Sequence, residues 1–110
     1  MSTRHDRKWL IEEAFPEIQA RGRVLANKKN QDYSSQGHGC FGNLERGGVA
    51  GVVIRIDDKV ARLFSLVVHD RPQKVEDESI EDTFLDIMNY ATLALAMLQA
   101  AREEKEDEGI

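Results

Sequence analysis

From Val75 to Ala101 the chain reads VEDESIEDTFLDIMNYATLALAMLQAA, and no Gly or Pro follows until Gly109. Phe84, Ile87, Met88, Ala91 and Leu95 recur at helical spacing, while Asp82, Asp86 and Asn89 line another face. This first half is amphipathic. From Ala91 to Ala101 only Thr92 and Gln99 are polar, the pattern of a helix buried on most sides. Ser79 and Asp82 form the S-x-x-D spacing of a capping box, and Asp77, Glu78 and Glu81 place negative charge at the positive end of the helix dipole. A helix from Asp77 to about Glu106 is roughly 45 Å long at 1.5 Å per residue, whereas a compact 100-residue domain has a radius of gyration of about 13 Å. One chain lacks the material to cover such a rod. The pattern therefore predicts a homo-oligomer with this helix in the subunit interface; the plainer alternative is a long helix with a frayed end.

Upstream, Val53, Ile56, Val60, Leu63, Phe64 and Val67 fall on one helical stripe, with Arg55, Asp58, Lys59 and Arg62 opposite. GVAGVVIRI alone would suit a short strand, but the register over Val49 to His69 favours helix, ended by Asp70-Arg71-Pro72. Ser2 to Lys29 reads as helix with Ser2 or Thr3 as N-cap and with Trp9, Leu10, Phe15, Ile18, Val24 and Leu25 as core positions. Pro16 lacks a donor and disfavours helical geometry at Phe15, so a kink or break is expected there. Asn30 to Gly48 has no periodicity and five glycines, which reads as a long binding loop. The tail from Arg102 to Ile110 is a solvated charge run with weak i, i+4 support. The expected fold is all-α: one domain over residues 1–110, three to four helices, a bundle completed by oligomerisation through the C-terminal helix.

Composition narrows the function. At 41 % hydrophobic and 32 % charged residues the chain is a globular mix rather than a disordered one. A net charge of −5 argues against duplex nucleic acid as a partner. The single cysteine, Cys40, excludes an internal disulfide and suits a reducing cytoplasm. MSTRHDRKW has no apolar signal-peptide core, and Val49 to Ile56 is too short to span a membrane.

Three constellations could carry chemistry. Lys28-Lys29-Asn30-Gln31-Asp32-Tyr33 ends one helix: Asn30 and Asp32 could hydrogen-bond a ligand and Tyr33 could stack on a base, although Lys28 and Lys29 also suit a helix C-terminus for the dipole alone. Arg55, Asp58, Lys59 and Arg62 could hold phosphates, or pair with the acids of the last helix. Glu78, Asp82 and Asp86, with Asn89, could share a magnesium ion, or serve as helix-start acids and partners of Arg55 and Arg62.

KKNQDY at 28–33, RIDDKVARL at 55–63 and VEDESIEDTFLDIMNYATLAL at 75–95 resemble the three blocks of the small helical family called nucleotide modification associated domain 1, over about two thirds of the chain. The resemblance implies nucleotide handling in a phage setting. It carries Lys29, Asn30, Asp32, Tyr33, Arg55, Asp58, Lys59, Arg62, Asp82, Asp86, Asn89 and Tyr90 as matching positions. The acidic helix is also loosely similar to all-α pyrophosphohydrolases of the MazG type, which hold magnesium with E-x-x-E and E-x-x-D pairs. Here the middle helix has Asp57-Asp58 followed by Lys59 and Arg62, with no E-x-x-E, and the last helix has Asp82-x-x-x-Asp86.

The expectation is a protein that binds or sequesters a small phosphorylated nucleotide, a cyclic signalling nucleotide included, without turnover, in the cytoplasm of an infected bacterial host. Ligand contacts are assigned to Lys29, Asn30, Asp32, Tyr33, Arg55, Asp58, Lys59, Arg62 and Asn89. The alternative is a magnesium-dependent nucleotide pyrophosphohydrolase with the metal on Glu78, Asp82 and Asp86. A homo-oligomer is expected in either case, with no membrane partner.

Overall fold

The computed structural model describes residues 6–35, 47–69 and 80–109, and the side chains of all of these except 30–35. Every long segment among them is helical, and no strand occurs among the described residues. The chain divides into two compact units, Met1–Cys40 and Phe41–Ile110.

The first unit holds one continuous helical run: α1 (Arg7–Trp9), a π-turn (Leu10–Ala14) and α2 (Phe15–Ser35). Its start differs from the expected Ser2 or Thr3. Asp6 is extended, and its side chain accepts a 3.0 Å hydrogen bond from the Trp9 amide, so Asp6 is the N-cap. Pro16 does not break the run. It cannot donate to the Glu12 carbonyl, and its ring would crowd that carbonyl in a regular α-turn. The turn just before it widens instead, with the Phe15 amide bonded to the Leu10 carbonyl, the i→i+5 spacing that defines a π-turn. The helix then continues through Ser35. The expected loop from Asn30 is therefore helical to Ser35; residues 36–46 lie outside the described residues. Of this helix, Ala14 and Gly22 are buried, while Trp9, Leu10, Phe15, Ile18 and Val24 are exposed.

The second unit is a packed pair of helices, α3 (Gly48–Leu63), extended by a π-turn (Phe64–Val68), and α4 (Ile80–Glu108). The predicted helix over Val49 to His69 is present; the strand alternative is not. Gly48 opens it at φ +65, a left-handed conformation that glycine adopts without penalty. The π-turn closes it, with the His69 amide on the Phe64 carbonyl at 2.9 Å. At 29 residues, α4 is roughly 44 Å long. The charged tail remains helical through Glu108 and exposed, and Gln99 donates to Glu103 one turn on at 3.1 Å. The expected capping residue Ser79 lies outside the described residues. α4 is long and apolar enough to cross a membrane by length and composition, a property that core helices of soluble proteins share.

The covered faces match the sequence expectation only in part: Ile56, Leu63, Ile87 and Met88 of the predicted stripes are covered, and the other members are exposed. On α3 the covered stripe is Val52, Ile56, Lys59, Leu63 and Leu66, with Val52 wholly buried; Val53, Val60, Phe64 and Val67 of the predicted stripe are exposed. On α4 the covered stripe is Thr83, Asp86, Tyr90, Leu93 and Met97, and Phe84, Ala91 and Leu95 face outward. The sequence placed Asp82, Asp86 and Asn89 together on a face apart from the apolar stripe. Only Asp82 stays exposed, while Asp86 is buried and Asn89 half-buried. In the seam a cation on α3 meets the buried Asp86.

Candidate functional site

That cation is Lys59. Its Nζ lies 3.2 Å from Asp86 Oδ2, with 22 % of the lysine side chain and 8 % of the aspartate side chain exposed. The regular turns of α3 place Arg55, Lys59 and Arg62 at i, i+4 and i+7, along one edge of the helix. Arg55 stands in solvent, whereas Lys59 and Arg62 are half-buried. The edge thus descends from water into the seam between the helices.

α4 answers with a polar stripe. Thr83 and Asp86 are buried, and Asn89 and Tyr90 are half-buried. Lys59, Arg62, Asp82, Thr83, Asp86, Asn89 and Tyr90 all take part in hydrogen-bonding, ionic or ring interactions. Arg62 is engaged as a residue, yet its Nε is buried and makes no hydrogen bond. Burying charged groups costs free energy unless they are paired. This seam spends interior positions on charge while Phe84, Leu95, Val53 and Phe64 stay outside.

The sequence-predicted site residues divide accordingly. Lys59 and Asp86 are brought together directly, with Arg62 and Asn89 half-buried on the same two helices. Arg55 and Asp58 are on α3 but exposed. Lys29 is half-buried on α2 and engaged in an interaction. Asn30, Asp32 and Tyr33 belong to the last turns of α2, and their side chains lie outside the described residues, as does Glu78. Among the described residues no group of three or more His, Cys, Asp or Glu side chains could hold a metal ion. Sequence reasoning missed Thr83. It sits three residues before Asp86, and that i, i+3 relation to a site acid was the available signal.

A family model described as nucleotide modification associated domain 1 matches residues 29–98. That span contains α3, the polar stripe of α4 and the last turns of α2. No curated protein and no solved structure matches the chain.

Proposed function

The chain belongs to the nucleotide modification associated domain 1 family, and from that premise we propose that it binds a small phosphorylated nucleotide, linear or cyclic, and releases it unchanged. The observation that carries this reading is the Lys59–Asp86 pair, set on a cationic edge that begins in solvent at Arg55. Guanidinium groups match phosphate oxygens with a planar fork, and an ammonium adds a point charge. Arg55 would meet the phosphate first, Lys59 and Arg62 would complete its neutralisation, and Asp86 would hold Lys59 in position when the ligand is absent. Within the second unit, Asp58 and Asn89 are proposed to contribute further polar contacts. The proposed setting is the cytoplasm of a phage-infected bacterium, where such a protein would supply a modification pathway or sequester a host signal.

The second reading, a magnesium-dependent pyrophosphohydrolase, is favoured by Asp82 and Asp86 standing one turn apart on α4. The Lys59 ammonium at Asp86 Oδ2 weighs against it, because a cation already occupies the charge that a metal would need. Calorimetric titration of a nucleotide panel, with chromatography of the recovered ligand, separates the two. Binding that is lost in Arg55→Ala with ligand returned intact supports the first reading; magnesium-dependent cleavage that disappears in Asp82→Asn replaces it with the second.

A further inference from the structure

α4 carries two stripes of heptad spacing; the inner one is covered within the unit, and of the outer one Met88 is half-buried and the other four members are exposed. The inner stripe runs Thr83, Asp86, Tyr90, Leu93, Met97. The outer runs Phe84, Met88, Ala91, Leu95, Leu98, with successive steps of four, three, four and three residues. This is the repeat of a helix-packing seam. At 3.6 residues per turn the two stripes are centred roughly 140° apart. Phe84, Leu95 and Leu98 of the outer stripe are 55 %, 67 % and 49 % exposed.

We propose that the outer stripe of α4 packs against the same stripe of a second copy of this chain, antiparallel, about a two-fold axis through Ala91. The stripe is its own complement in that direction. Phe84 stands seven residues before Ala91 and Leu98 seven residues after it, so each large side chain meets the other type across the axis. Met88, three residues before Ala91, and Leu95, four after it, come within one residue of the same level, and the small Ala91 at the crossing lets the helices approach. A two-fold interface requires such self-complementarity.

Charge selects the direction. Arg102 lies eleven residues after Ala91, and Ile80 eleven before it. Antiparallel pairing therefore sets Arg102 level with Ile80 and Glu81 of the second copy. Parallel pairing would stack Glu81 on Glu81 and bring Glu103, Glu104 and Glu106 against their own counterparts, and like charges flanking a seam disfavour that arrangement. The proposal is independent of any nucleotide, since it uses neither Arg55 nor Lys59.

Directed cross-linking tests it in the full chain carrying Cys40→Ser. Ala91→Cys is expected to give a disulfide-linked dimer under mild oxidation. A mixture of the Phe84→Cys and Leu98→Cys proteins is expected to give the mixed dimer, with little product from either alone. Leu95→Glu, an exposed substitution that leaves the helical circular dichroism unchanged, is expected to raise the dimer dissociation constant at least tenfold in sedimentation. Self-cross-linking of Phe84→Cys to the same extent as the mixture would overturn the antiparallel arrangement. A monomer at micromolar concentration, whether free or taken up by phosphatidylcholine vesicles, would overturn the dimer.

Discussion

Lys59 and Asp86 meet at 3.2 Å across the α3–α4 seam, so a charged pair stands where a helix hairpin of this size would ordinarily place two apolar side chains. Removing one partner of a buried pair is destabilising, whereas replacing both with apolar groups of similar volume is often neutral or stabilising. Asp86→Asn or Lys59→Met alone is expected to cost about 3 kcal/mol, reduced somewhat by the residual exposure of the lysine. The double variant Lys59→Met/Asp86→Leu is expected to regain most of that stability in urea unfolding while failing to bind nucleotide. A double variant that unfolds as easily as the worse single one would show that the pair is not the unit that matters.

The register of α3 can be checked with neighbouring valines. Val52 is fully buried and Val53 is 57 % exposed. Truncating a buried valine removes about two methylene equivalents at about 0.8 kcal/mol each and leaves a cavity. Val52→Ala is expected to lower unfolding stability by about 2 kcal/mol, and Val53→Ala by less than about 0.5 kcal/mol. The opposite order in chemical denaturation would restore the stripe that periodicity alone suggests.

At the start of the first unit, the Asp6 side chain satisfies the Trp9 amide at 3.0 Å. Losing such a cap costs about 1 kcal/mol. Asp6→Ala is expected to fray the first turn, seen as faster amide exchange at Trp9, and Asp6→Asn to leave exchange nearly unchanged. Equal exchange in all three proteins would move the cap elsewhere.

Gly48 opens α3 at φ +65, with open space where a Cβ would stand. Substitution there is therefore a question of backbone strain rather than of packing. Gly48→Ala is expected to destabilise the second unit by about 1–2 kcal/mol, and Gly48→Asn by less, because asparagine tolerates the left-handed region. Thermal unfolding of the two variants checks the order; an alanine variant as stable as the parent would contradict the assigned conformation.

Helix existence was legible in the sequence, and helix orientation was not. The 3.6-residue period of Val53, Ile56, Val60, Leu63, Phe64 and Val67 identifies residues that share a face, and the segment is a helix. It does not say which face is covered. Pairing of the α3 cations with acids of the last helix was one of the two readings offered, and Lys59 meeting Asp86 is such a pair. A similar limit applied at Asn30 to Ser35. Asn, Gln, Asp and Ser read as a loop because they compete with the backbone for hydrogen bonds, yet a helix already running from Phe15 adds each residue without a new nucleus. At Pro16 a kink or break was expected; the widened turn that accommodates it depends on backbone geometry rather than on residue type. Of the site, the residue types and their spacing on α3 and α4 were readable in advance; the inward turn of Thr83 was not.

The most direct measurement is mass spectrometry of small molecules released by heat from the protein purified out of bacteria, in parallel with Arg55→Ala. An intact phosphorylated nucleotide is expected, near one per subunit in the parent and depleted at least tenfold in the variant. Parent protein that releases no nucleotide, and that takes none up from a panel added at millimolar concentration, would contradict nucleotide binding at the Lys59–Asp86 seam.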